Sequence, residues 1–109
     1  MKHHNLFSPH PIDAKGDEFF EILLDAPDVR IERIVGLKPF DKPGPWYDQE
    51  EDEWVVLLQG EAHLEIKDEK IIHLKKGDFV FLPAHKVHRI SKTKSNQKCI
   101  WLAVHGKLK

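Results

Sequence analysis

The sequence predicts an all-β domain, a sandwich or small barrel, and three observations carry that expectation. Short β-like runs recur along most of the chain. Glycine, proline or small polar clusters separate them, and no stretch sustains a helical period. At 109 residues the chain has room for one hydrophobic core and too little for two ordinary domains.

Residues 1 to about 16 carry Ser8-Pro9-His10-Pro11 and Gly16, and read as an irregular entry segment. Phe19 to Leu24 is apolar but short, so a strand is preferred and one helical turn stays open. Val29 to Val35 is β-branched and alternating, hence a strand. Lys38 to Pro45 holds three prolines, which remove backbone donors and fix φ, so it is a loop. Glu53 to Gln59 is a strand closed by Gly60, and Ala62 to Ile66 alternates with Ala62, Leu64 and Ile66 on one face. After the polar turn Lys67-Asp68-Glu69, Lys70 to Leu74 returns as its hairpin partner. Phe79 to Leu82 stops at Pro83, and Val87 to Ser91 and Lys98 to Val104 complete the set. Residues 1–28 are thus an entry segment and first strand packing on a barrel formed by 29–109.

The strands around Glu53 and Trp101 are apolar on both faces. Val55 and Leu57 oppose Trp54, Val56 and Leu58, while Ile100, Leu102 and Val104 oppose Cys99, Trp101 and Ala103. A half-solvated wall would alternate apolar with polar. Cover by the entry segment or by a second subunit is therefore expected, and a homodimer is the expected assembly.

Apolar residues make up 40% and charged residues 32%, with a net charge of −1, so no overall field attracts nucleic acid or anionic membrane. Lys92 to Lys98, with Lys107 and Lys109, lacks interleaved aromatics and reads as solvated loop and terminus. The lone Cys99 excludes an internal disulfide and a cysteine-based zinc site; it is a small wall residue with no activating base adjacent in sequence. Met1 to Phe7 lacks the apolar run of a signal peptide, and no stretch is long enough for a membrane helix, so the cytoplasm is the expected compartment.

Two punctuated segments carry the functional reading. One runs from Trp46 through Glu53 to Gly60, the other from Gly77 through Pro83 to His88. In these the sequence resembles the cupin superfamily, over roughly residues 30 to 105. That family's first motif has two histidines one residue apart, then a glutamate, then a glycine after six residues; Glu53 and Gly60 match its second half. The second motif has a glycine, five residues, a proline, and a histidine five positions on; Gly77, Pro83 and His88 match it throughout. The resemblance implies a double-stranded β-helix, or jelly-roll barrel, with a small-molecule ligand in an internal pocket. Where the family carries its two histidines, this chain has Tyr47 and Gln49, or Trp46 and Asp48 if the spacing is one residue longer; His85 stands where the family has glycine.

The family's histidines and glutamate surround a divalent transition ion. The resemblance therefore implies Glu53 and His88 as metal ligands, with Gln49 the first choice for a third, holding iron, manganese, nickel or zinc. The other reading is a metal-free Glu–His pair in an apolar pocket. Strand parity is consistent with Glu53 and His88 both facing inward, and a buried Glu53 needs a partner. Tyr47, Asp48, His85 and Trp101 are the expected pocket-lining residues. His63 and His73 read as surface residues, and His3, His4 and His10 show no ligand spacing. His105 ends the last strand, and its approach to the pocket is the lesser reading. Trp46 and Trp54 are core or interface aromatics first. A metal-dependent enzyme of dioxygenase, isomerase or lyase type and a non-catalytic ligand-binding or sensor module both follow, since the fold does not choose between them.

Overall fold

Turn residues cut the chain into short pieces that can only be buried by stacking sheet on sheet, and the computed structural model, which describes residues 1–94 and 97–109, shows that arrangement. Its strands are β1 (Glu18–Asp25), β2 (Val29–Gly36), β3 (Asp52–Gln59), β4 (Ala62–Ile66), β5 (Ile71–Leu74), β6 (Phe79–Leu82), β7 (His88–Thr93) and β8 (Ile100–Gly106). The Phe19–Leu24 stretch is strand, not helical turn. The expected loop from Lys92 to Lys98 begins inside β7, and its Ser95 and Asn96 lie outside the described residues. Among the described residues no helix is long and apolar enough to cross a membrane.

One sheet has the order β1-β2-β8-β3-β6 and the other β5-β4-β7, with every pairing antiparallel. The two face each other as a jelly-roll barrel. Val55, Leu57, Leu82, Trp101 and Ala103 of the larger sheet meet Ala62, Leu64, Ile66 and Leu74 of the smaller in one core. Register explains the selection: Val55 lies opposite Ala103 and Leu57 opposite Trp101, so side chains that alternate along each strand line up on one inner face. Gly60 closes β3 at φ 90°, where a Cβ would stand 2.8 Å from Cys99 Sγ, and Gly77 turns into β6 at φ 91°.

The outer face of the larger sheet is covered in part. Arg33, fully buried on that face, donates from Nε to Glu21 (2.8 Å) and from Nη1 to the carbonyls of Leu6 and Ser8. These bonds pin the entry segment across β2, and Val35 and Ile100 are buried beneath it. Buried guanidinium demands such partners. Farther across, Trp54, Val56, Leu58, Leu102 and Val104 stay half-buried, and Phe79 and Leu24 are exposed.

Candidate functional site

Strand parity aims Glu53 of β3 at the barrel interior together with Val55 and Leu57. The β3–β8 register then sets His105 directly across from it. His88 begins β7, Glu32 lies on the inner face of β2 opposite Ala103, and Glu18 opens β1. Together they line an open-mouthed cavity whose apolar wall includes Phe20, Ile34, Leu64, Ile90 and Trp101.

Tyr47 and Gln49 reach this cavity because their segment is strapped to β7. Tyr47 N–H donates to the His88 carbonyl (2.7 Å) and His88 N–H returns to Tyr47 (3.1 Å), while the Gln49 carbonyl accepts from His85 N–H (2.7 Å). In an extended segment alternate residues point oppositely. Tyr47 and Gln49 therefore face in, and Trp46 and Asp48 face out. Trp46 lies under the Arg89 guanidinium (3.9 Å) on the outside.

Two expected lining residues are corrected. Asp48 and His85 are each 59% exposed and pair with each other, Nδ1 to Oδ1 2.7 Å, outside the cavity wall. His85 sits at φ 65°, the left-handed conformation for which the family's glycine is suited, and that turn carries its ring outward. Asp48 raises the His85 pKa above the usual imidazole value.

Glu53, His88 and His105 are 7%, 6% and 3% exposed. His88 Nδ1 lies 2.7 Å from the Lys86 carbonyl, which can only accept, so Nδ1 carries the hydrogen and Nε2 faces Glu53 Oε1 at 3.7 Å. That separation is too long for a direct hydrogen bond. His105 Nε2 lies 3.2 Å from Glu32 Oε1, and its Nδ1 is buried without a partner among the described residues. Burial raises the Glu53 pKa; His105 and His88 oppose that shift and the charge of Glu32 adds to it. Burial, with Asp17 and Glu32, pushes Glu18 up to about 7. Burial and the charges of Glu18, Glu53 and Glu32 also raise Tyr47. Cys99, whose thiol burial pushes up to about 11, donates to the Glu61 carbonyl and serves the wall.

The sequence reading missed Glu18 and Glu32 and undervalued His105. For His105 a signal existed, since it continues the inward parity of Trp101 and Ala103; for the two glutamates only the sheet order supplies it. As a metal centre the set is incomplete. Glu53 and His88 are adjacent and Gln49 is in the wall, but among the described residues no three His, Cys, Asp or Glu side chains converge to hold an ion. His105, the other buried imidazole, is engaged by Glu32. The donors present do not fit a firmly held transition ion, which takes at least three protein ligands.

The family model described as Cupin domain matches residues 33–105. Among solved structures, the chain is similar to a "putative mannose-6-phosphate isomerase" from Ralstonia eutropha JMP134, at 38% identity and TM-score 0.84, covering 98% of this chain and 99% of that one. It is also similar to a cupin superfamily protein from Desulfitobacterium hafniense DCB-2, at 22% identity and TM-score 0.70 over 93% and 92% of the two chains. KdgF from Halomonas sp. shares the fold at 17% identity and TM-score 0.69, over 89% and 86%. No curated protein matches the chain.

Proposed function

The chain belongs to the cupin superfamily, and from that premise we propose that it takes a small organic molecule into the barrel cavity and moves a proton on it, as an isomerase- or lyase-type enzyme. The observation that carries this reading is Glu53. It is a buried carboxylate with a raised pKa, beside an imidazole nitrogen that is free to accept, in a cavity open to solvent. A carboxylate whose pKa is lifted toward neutrality works as a general base and returns the proton as an acid. Glu53 takes a proton from carbon next to a carbonyl. The Tyr47 hydroxyl or the Gln49 amide N–H donates to the carbonyl oxygen as charge develops there; the hydroxyl proton of the substrate passes to that oxygen, and Glu53 returns its own proton to the former carbonyl carbon.

The isomerase description of the Ralstonia protein supports this reaction class, because aldose–ketose exchange is a proton transfer of this kind. It supports the substrate less: no Lys or Arg among the described residues lines the cavity, so a phosphate there would lack a counter-charge. Dioxygenase chemistry would need a redox-active metal, iron, manganese or nickel, and zinc would serve only as a Lewis acid; on Glu53, His88 and Gln49 any of them meets a donor set that is weak for the reason given above.

The test is solvent-deuterium incorporation into a panel of small α-hydroxy- and α-amino-carbonyl compounds in D2O, with elemental analysis of the same protein. Expected are incorporation by the wild type, a loss of roughly a hundredfold or more in Glu53→Gln, and substoichiometric metal. Equal incorporation by the variant would remove Glu53 from the reaction, while stoichiometric metal lost in His88→Ala would restore the metal reading. A second reading, a non-catalytic binding or sensor cupin, is favoured by Tyr47 and Gln49 standing where the family's paired histidines stand; ligand binding without deuterium incorporation would establish it.

We further propose that two copies pair through the half-buried outer face around Trp54, Leu102 and Val104. Light scattering on a sizing column should give twice the chain mass, and Trp54→Glu should halve it. A wild-type monomer at micromolar concentration would end that proposal.

A further inference from the structure

Hydrogen-bonding capacity in the cavity is lopsided. Glu18, Glu32 and Glu53 bring three carboxyl groups to the wall. His88 has its one neutral-state hydrogen committed to the Lys86 carbonyl, so its Nε2 is an acceptor. His105 has Nε2–H directed at Glu32, which makes its Nδ1 an acceptor too, and that atom is buried with no partner among the described residues. Against these acceptors stand the Tyr47 hydroxyl and the Gln49 amide. His88 Nε2 and the carboxyl groups, once ionised, are acceptors that a ligand bringing N–H groups would satisfy, whereas His105 Nδ1 is closed off within the wall. Three aromatic rings, Phe20, Tyr47 and Trp101, line the same space, and ring faces attract cations.

From this we propose, building on the cavity as the working site, that its ligand is a small organic cation, a primary ammonium or guanidinium on a short apolar or carbonyl-bearing body. The ammonium donates to Glu18 and Glu32 and the rest of the molecule lies against Trp101 and Phe20. Burial first, and neighbouring carboxylates after it, raise the Glu18 and Tyr47 pKa values, and a cation bound among these carboxyl groups would favour their ionised forms. A neighbouring hollow that shares Glu18, Ile90 and Trp101 with the cavity carries Lys38, Lys94 and Lys98, all exposed; Lys94 is held by Glu61 (3.4 Å) and Lys98 lies against His10 (2.9 Å).

Four probes of similar reach decide the matter: butylammonium, butan-1-ol, butyrate and mannose 6-phosphate, each titrated into the full chain by NMR with the side-chain signals of Trp101, His88 and His105 as reporters. Expected is saturable binding of butylammonium at least tenfold tighter than butan-1-ol, with no detectable binding of butyrate. The paired change Glu18→Gln with Glu32→Gln should abolish that preference while butan-1-ol affinity holds, which also shows that the variant still folds. Should butan-1-ol or mannose 6-phosphate bind at these reporters more tightly than butylammonium, the cation inference is overturned while the cavity remains the working site. If none of the four perturbs the reporters, the inference and the cavity reading fall together. A cation preference that survives in the double glutamine variant would overturn the assignment to Glu18 and Glu32.

Discussion

Two carboxylate–imidazole pairs lie a short chain distance apart, and they behave oppositely. Asp48 and His85 touch at 2.7 Å on the surface, both well exposed. Glu53 and His88 stand 3.7 Å apart with both side chains buried. The closer pair is the ordinary one: Asp48 holds the proton on His85, as contact with an opposite charge does, and solvent screens the rest. In the wider pair burial outweighs the two nearby imidazoles, and the carboxyl pKa rises instead of falling. Distance therefore says less than desolvation about which way a carboxyl pKa moves.

The sharpest way to break this comparison is a double-mutant cycle on the buried pair. Glu53→Ala and His88→Ala should each destabilise, and the double variant should cost less than their sum by about 2 kcal/mol, because each single change strands the same partner. Strict additivity in urea unfolding would mean that the two groups do not act together.

Next in size is Glu18, a half-buried carboxyl at the cavity wall. Its folded pKa of about 7 lies above the ordinary 4.5, so the folded state binds the proton more tightly than the unfolded chain does. The favourable contribution is thus full below pH 4.5 and lost as pH rises through 7. Glu18→Gln should therefore stabilise the protein at pH 8.5 by on the order of 2 kcal/mol, after allowing for solvent at the cavity mouth, and hardly at all at pH 4. A stability gain independent of pH would show that the carboxyl is not desolvated.

The surface pair should give the smallest effect. His85 has a raised pKa, so its contribution is full below the unfolded value of 6.5 and fades as pH climbs through the folded value. Asp48→Asn should lower the His85 pKa seen by NMR, change stability little, and lose even that in high salt. A large salt-independent loss would place the pair in the structural core of the loop that presents Tyr47 and Gln49.

Glu53 and His88 were legible because each sits at the offset from a turn residue that the cupin motifs carry: Glu53 before Gly60, and His88 after Gly77 and Pro83. Asp48 and His85 were misplaced because nearness in sequence to a motif was taken for nearness in space. The Tyr47–His88 bridge sets the parity of that segment, and no local pattern reveals it. His105 was undervalued for a related reason: it becomes a neighbour of Glu53 only through the β3–β8 register.

By itself, then, the sequence determined the strands and their turns, since these follow from residue type, period and short-range sterics, while Glu53 and His88 were singled out by the resemblance to the cupin motifs. Tertiary structure alone decided that β1, β2 and β8 lie side by side, bringing Glu18, Glu32 and His105 to the cavity. The physical reason is that a polar residue in an alternating strand looks the same whether its face meets water or a cavity. Only the sheet packed opposite removes the water, and that removal lifts the carboxyl pKa of Glu18 and Glu53 above the ordinary value.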